Sequence, residues 1–475
     1  MGLALLVSAL FMLLSVFVSL SCGKDSGFTP LLVSCIITLI VGLFPFIFVK
    51  GYQPISLKDG YVIIVLSWLL SFIFGMMPYV MWGGEFSLSN AWFESVSGFT
   101  TTGATILRDI EALPQSLLFW RSSTHFIGGL GVVVFLLLVI PSASAFRTRL
   151  TKMEVSSLSK EGYRLQSRKM VLVISGVYLG LFILAACSLM LAGMPFLDAV
   201  NHAFSVCATG GFSTKNASVA YFDSPLINVI LLLFMVLDTV YFALIFTCIV
   251  RRSARPFFRS HAVRFYLTSI LVMSAIVVLS LMLQGGYASW GRALLDGFCT
   301  VASYVTTTGF GFADNRHWPF LAGIVLMYAS IQCGCAGSTS SGIKVDRMMV
   351  VLRSVKRQIH LNLHPDGVRR IKMGEGYIPD EQVLTLVLYI VLYFVIIMVS
   401  TVLLLMCGVE GIEAISGSIA SIGNVGPGLG AISIAGNYAM MPVAAKVIFT
   451  LDMFLGRVEI YPILITISLM FNKER

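Results

Sequence analysis

Apolar residues in this chain come in long and short runs whose order repeats. Leu3–Leu20 and Leu31–Val49 are two long runs separated by a short polar turn. After them a set of three runs occurs four times: long, short, then long again. The sets are Gly60–Met81, Ser87–Phe99 and Leu117–Ile140; Met170–Leu191, Phe196–Ala208 and Pro225–Val250; Phe265–Leu283, Gly291–Val305 and Trp318–Val351; and Val383–Cys407, Ile412–Ile422 and Ala439–Phe471. A helix needs about 20 residues to cross a bilayer core. The long runs therefore predict membrane-spanning helices, and the short ones predict half-spans that enter and stop. Apolar runs such as 132–140 do not alternate with polar residues, which excludes an outer-membrane barrel. The expected fold is an all-α polytopic membrane protein with an N-terminal two-helix hairpin (residues 1–50). Four membrane–pore–membrane repeats follow (51–150, 151–260, 261–375 and 376–475), in pseudo-fourfold arrangement around one pore.

Each half-span is followed by an uncharged string: Thr100-Thr101-Thr102-Gly103, Cys207-Ala208-Thr209-Gly210, Thr306-Thr307-Thr308-Gly309 and Gly423-Asn424-Val425-Gly426. The final glycines lie 107, 99 and 117 residues apart. Non-helical backbone at mid-membrane is tolerated only in protein or beside water, so four such strings predict one shared, lined pathway. Glycine reaches φ > 0 without a Cβ penalty and lets successive carbonyls turn inward. Rings of carbonyls replace the water shell of a small cation. The half-spans end just before the strings, so their C-termini, each carrying about half a negative charge, aim at the axis. The strings hold no carboxylate, which suits a desolvated monovalent cation better than a divalent one. The predicted ion contacts are Thr101, Thr102 and Gly103; Ala208, Thr209 and Gly210; Thr307, Thr308 and Gly309; and Asn424, Val425 and Gly426.

Composition agrees: 57% of residues are hydrophobic and 12% charged, against about 25% charged in soluble domains. The net charge of +9 comes from basic loops beside apolar runs. These loops carry Lys50 and Lys58; Arg147, Arg149, Lys152, Lys160, Arg164, Arg168 and Lys169; Arg251, Arg252, Arg255, Arg259 and Arg264; and Arg353, Lys356, Arg357, Arg369, Arg370 and Lys372. All fall on one side, which the positive-inside rule assigns to the cytoplasm, with both termini there and the strings opening outwards. Nucleic-acid binding is not expected. The nine cysteines are scattered in apolar surroundings and read as small buried hydrophobes, not as disulfides or zinc ligands. The first run reads as an uncleaved span, since no Lys or Arg precedes it.

Three further features bear on chemistry. Residues 334–344 place small residues in the middle of the long third-repeat run. Such residues are poor helix formers, and a break at that depth lines a cavity or packs under the strings. The reading is an intramembrane gate built from Gly334, Gly337, Ser338, Thr339, Ser340, Ser341, Gly342 and Lys344, the last requiring a partner or solvent; close packing by small residues is the alternative. Arg457, in the last run, is either a positive barrier beside the path or an ion-pair partner of Glu459 or Asp452. Asp238 and Asp296 read as paired or capping groups, and Glu94 either supports the first string or faces outer water.

These motifs, with Gly128-Gly129-Leu130-Gly131, Gly342-Ile343-Lys344, Asn424-Val425-Gly426-Pro427-Gly428-Leu429-Gly430 and Leu455-Gly456-Arg457-Val458-Glu459-Ile460, resemble the Trk/Ktr/HKT superfamily of potassium-translocating subunits. The likeness is greatest to the bacterial TrkH type. The resemblance implies K+ uptake across the bacterial inner membrane by a multi-pass homodimer in contact with membrane lipid. It implies a K+ filter at Gly103, Gly210, Gly309 and Gly426, and a gate at 334–344 with Arg457 beneath the filter. A cytoplasmic TrkA-type nucleotide-binding ring would dock on the basic loops. Two departures stand out: Asp238-Thr239-Val240-Tyr241-Phe242 replaces a Gly- and Asn-containing stretch, and Ser340-Ser341 replaces glycines.

The alternatives are a Na+- or H+-coupled K+ symporter or a less selective Na+/K+ channel. Symport asks for an acid in the membrane on the path, and the strings contain none. A membrane enzyme is not expected, because the six histidines are dispersed and no catalytic constellation is evident. No phosphate-binding loop appears, so this chain carries no nucleotide site and any nucleotide control must come from a partner.

Overall fold

The computed structural model describes residues 1–49, 51, 56–138, 167–284, 287–365, 370–373 and 376–471. Lys50, Arg147, Arg149, Lys152, Lys160, Arg164 and Arg369, among the predicted topology determinants, lie outside the described residues.

Helices α1 (Gly2–Ser21) and α2 (Phe28–Phe48) form the N-terminal hairpin. On α1 the buried positions include Leu5, Ser8, Ala9, Met12, Ser15, Val16 and Ser19, a single helical face made mostly of small residues. Small residues let membrane helices approach closely. A Cβ on Gly2 would lie 2.8 Å from the Gly42 carbonyl oxygen of α2.

Repeat one comprises α3 (Leu57–Trp82), α4 (Leu88–Phe99) and α5 (Gln115–Leu138). A capping box between Ser56 and Asp59 starts α3. Repeat two comprises α6 (Ser167–Leu191), α7 (Phe196–Cys207), α8 (Pro225–Asp238) and α9 (Phe242–Val250). After a short α10 (Arg255–Arg259), repeat three has α11 (His261–Leu283), α12 (Trp290–Val305), α13 (Phe320–Gln332) and α14 (Val345–Leu363). A two-stranded hairpin, Lys372–Met373 with Gly376–Tyr377, leads to repeat four: α15 (Asp380–Met406), α16 (Gly411–Ile422), α17 (Val443–Arg457) and α18 (Ile460–Phe471). The four expected half-spans are thus α4, α7, α12 and α16.

Among the described residues, six helices are long and apolar enough alone to cross a membrane, or eight spans if each of two bent pairs counts as one. Those bends correct the sequence expectation, which placed a break only in repeat three. The α8–α9 pair turns through 101° and the α17–α18 pair through 108°. Asp238-Thr239 and Arg457-Val458-Glu459 mark the two breaks; apolar residues on both sides hide them in a hydropathy profile.

The polar residues of the spans lie mostly inward among a packed aromatic and aliphatic core, and the outer faces are almost wholly apolar. On α15, Leu384, Leu388, Val391, Val395, Met398 and Val402 are all exposed, while Tyr389, Tyr393 and Ser400 are buried. An exposed apolar surface of this extent suits lipid.

Candidate functional site

The four strings share one backbone geometry. Thr101, Thr209, Thr307 and Asn424 adopt left-handed φ values of 53°, 54°, 57° and 52°. The next backbone N–H donates back to the half-helix in every repeat: Thr102 to Ser97 (2.9 Å), Gly210 to Ser205 (2.8 Å), Thr308 to Ser303 (2.9 Å) and Val425 to Ala420 (2.9 Å). Then comes a glycine at positive φ: Gly103 (80°), Gly211 (82°), Gly309 (72°) and Gly426 (93°).

This register corrects the reading of repeat two by one residue. Gly211, not Gly210, is equivalent to Gly103, Gly309 and Gly426. Gly210 is equivalent to Thr102, Thr308 and Val425. Ala208 caps its half-helix as Thr100, Thr306 and Gly423 do, and so precedes Thr209-Gly210-Gly211, the stretch equivalent to the predicted contacts Thr101, Thr102 and Gly103. Gly210 needs no positive φ. It is small because the His125 ring fills the place where its Cβ would stand. That ring stacks on Phe212 with centroids 4.0 Å apart, and its Nδ1 lies 3.2 Å from Ser205 Oγ.

The strings close into a ring in chain order. A Cβ on Gly103 would collide with the carbonyl oxygen of Gly210, and one on Gly211 with that of Thr308. A Cβ on Gly309 would collide with that of Val425, and one on Gly426 with that of Thr102. Gly103, Gly211, Gly309 and Gly426 line one cavity of about 140 Å³ together.

Hydroxyls hold the strings from behind. Ser97 Oγ donates to the Ala104 carbonyl (2.6 Å), Ser205 to Phe212 (2.7 Å) and Ser303 to Phe310 (2.9 Å). Repeat four has Ala420 at this position, and there Tyr438 donates to the Gly426 carbonyl (2.9 Å). Asn424 Nδ2 donates to Thr102 Oγ1 and to the Met453 carbonyl, both at 2.9 Å, joining repeat four to repeat one. Glu94 is buried and supports the first string: it accepts from Arg121 Nε (2.6 Å), Ile106 N–H (3.1 Å) and Thr105 Oγ1 (3.0 Å). Arg121 also donates to the Ser213 carbonyl (3.0 Å) and stacks over Phe212.

The segment between α13 and α14 is a buried non-helical loop. Ser338, Thr339, Ser340 and Ser341 are no more than 6% exposed. Cys333, Gly337 and Gly342 turn it at positive φ. Thr339 Oγ1 donates to the carbonyls of Cys207 (3.2 Å) and Asp238 (3.3 Å), so the loop is tied to the end of the repeat-two half-helix. The Cys335 N–H donates to the Thr239 carbonyl at 3.0 Å. Gly334 packs tightly against Thr239 and Ser340. Arg457 donates from Nη1 to the Thr339 carbonyl and from Nη2 to the Gly128 carbonyl, the latter at 2.9 Å. Arg457 is 4% exposed. Among the described residues it forms no ion pair: Glu459 is taken by Lys344 (2.9 Å) and Arg347 (2.8 Å), and Asp452 accepts from Ser400 (2.7 Å) and Ser418 (3.1 Å). Lys344 thus has the partner that its position requires.

A family model described as TrkH, cation transport protein, matches residues 31–475. The chain belongs to the TrkH family. A relative called Trk system potassium uptake protein TrkH, from Salmonella typhimurium, is 32% identical over 419 residues, covering 88% of this chain and 86% of the relative. Trk system potassium uptake protein TrkG of Escherichia coli is 31% identical over 422 residues, covering 87% and 85%. The crystal structure of the potassium transporter TrkH from Vibrio parahaemolyticus matches with a TM-score of 0.89 at 28% identity, covering 99% of this chain and 97% of that one.

As a TrkH-family chain, it carries two arrangements that its sequence did not disclose. One is the Gly211 register. The serine six residues before each positive-φ glycine (Ser97, Ser205 and Ser303) was the available signal. The other is the setting of Asp238. Asp296 is paired as expected, with Arg292 at 3.1 Å. Asp238 is not: apart from the Cys207 thiol turned toward it, neither carboxylate oxygen meets a donor.

Proposed function

We propose that this chain takes up K+ across the bacterial inner membrane through the ring of four strings. The observation that carries this reading is the closed cycle of contacts from each positive-φ glycine to the carbonyl of the next repeat. It brings the carbonyls of Thr102, Gly210, Thr308 and Val425 together with no carboxylate in any string. Neutral oxygens replace the hydration shell of a monovalent cation, and the half-helix C-termini add a field that favours cations. The potassium-transport names of the relatives supply the ion. The loop 334–344 is the gate, held shut by Thr339 and Arg457, and the uncompensated guanidinium adds an electrostatic barrier below the ring. Orientation follows the basic loops, with both termini cytoplasmic. The assembly is a homodimer in lipid, regulated by a TrkA-type nucleotide-binding ring on its cytoplasmic side.

Rb+ uptake into proteoliposomes containing the purified chain, with K+ and Na+ as competitors, tests the reading. Uptake blocked by K+ and weakly by Na+ is expected. No uptake with the gate weakened by Arg457→Ala would overturn it.

A further inference from the structure

Below the ring, repeat two contains a group that the ring does not use. Asp238 ends α8 at the 101° bend, is fully buried, and takes part in none of the ion pairs among the described residues. Its surroundings are rich in oxygen. The backbone carbonyls of Cys207 and Asp238 both lie within 3.3 Å of Thr339 Oγ1, so two carbonyls and one hydroxyl converge at the bend that carries Asp238, whose carboxylate meets the thiol of the same Cys207. The Cys207 that supplies one carbonyl is the last residue of half-helix α7, whose end carries partial negative charge. In repeats one and four the corresponding space is filled otherwise: Gly128 lies against the Phe99 carbonyl and Gly456 against the Ile422 carbonyl.

An unpaired carboxylate in a dry interior costs far more than folding tolerates, so it must hold a cation or a proton. The charged and titratable groups facing this region are the Cys207 thiol from α7 and the Tyr178 hydroxyl from α6, with Arg457 of α17 beyond Tyr178. Tyr178 is committed to the Phe126 carbonyl at 3.1 Å. On the other flank, Tyr266 of α11 bonds Thr239 at 2.5 Å. Among the described residues, no Lys, Arg or His pairs with this carboxylate.

We propose that Asp238, with the carbonyl oxygens of Cys207 and Asp238, forms a second binding site for a monovalent cation, beneath the ring and capped by the Thr339 hydroxyl of the loop. One carboxylate with neutral oxygens balances a single positive charge; a divalent ion would be left half neutralised. In the latched state Thr339 donates its hydroxyl proton to both carbonyls. When the loop withdraws, the same carbonyls are free to accept a cation. The site therefore links occupancy by the transported ion to the position of the gate. This deepens the proposed function and rests on it for the identity of the ion.

The test is difference infrared spectroscopy of the full-length chain in lipid, perfused alternately with K+ and with N-methyl-D-glucamine. The expected result is a K+-induced carboxylate signal, with loss of a protonated-carboxyl signal, that is missing in Asp238→Asn. Asp238→Glu, which keeps the charge, should retain the K+ response, and the Asn variant should also lose Rb+ flux. The same K+-induced bands in wild type and Asp238→Asn would overturn the site, as would a chain that conducts Rb+ without a K+-sensitive band from Asp238. Failure of Rb+ flux in every variant, with the Asp238 bands intact, would instead remove the uptake reading and leave the cation site standing.

Discussion

Arg457 of repeat four and Thr339 of the repeat-three loop are joined through the guanidinium and a backbone carbonyl. The same arginine reaches the Gly128 carbonyl of repeat one, and the same threonine reaches the Cys207 carbonyl of repeat two. Two residues thus bind all four repeats together beneath the strings. Replacing Arg457 by Ala removes the charged donors that hold the loop. A hydrogen bond from a charged group contributes about 1.5–3 kcal/mol, so Rb+ flux should rise by roughly tenfold or more. Arg457→Lys, with a single donor head, should give a smaller rise. Unchanged flux in a monodisperse Arg457→Ala protein would remove the latch from the mechanism.

The register of repeat two separates two glycines that look interchangeable. Gly210→Ala meets the His125 ring, whereas Gly211→Ala meets the Thr308 carbonyl and a left-handed backbone. Adding His125→Ala should therefore restore K+ selectivity and flux to Gly210→Ala and leave Gly211→Ala impaired. Equal rescue of both would place the register elsewhere.

Glu94 and Arg121 form a buried pair at 2.6 Å with side chains 0% and 2% exposed. Breaking such a pair leaves a buried charge and costs about 3–5 kcal/mol. Glu94→Gln should lower the thermal unfolding midpoint in detergent. It should also loosen K+ over Na+ discrimination, because the Ile106 and Thr105 contacts that hold the first string weaken with it. A stability loss with selectivity intact would make Glu94 structural only.

Glu459 binds both cations at the exit of the loop, Lys344 and Arg347. In Glu459→Gln these two charges lose their common anchor and α14 is freed from the α17–α18 bend. Basal flux should increase, and limited proteolysis near residue 344 should quicken. Lowered flux would mean that the anchor supports the open form.

The hairpin, the four repeats and their half-spans were legible because lipid imposes a length rule on apolar runs, and Leu3–Leu20 through Ala439–Phe471 obey it. The loop at 334–344 was legible because small residues interrupt such a run. The bends at Asp238 and Arg457 were not, since one or two polar residues inside an apolar run shift an average very little. The Gly210/Gly211 ambiguity could not be settled from the string alone: only backbone φ and the His125 ring, contributed by another repeat, distinguish a glycine needed for its torsion from one needed for its absent side chain.

The ring is written in a single chain, so each of its walls is inherited separately. In an assembly of four identical subunits, a substitution at a pore glycine strikes every wall at once. Here one codon alters a quarter of the circumference and leaves three quarters as they were. Gly210, backed by an imidazole where its counterparts carry threonine or valine side chains, is such a quarter already altered. On the proposed reading of the ring, ion preference is therefore open to adjustment in small graded steps, one wall at a time.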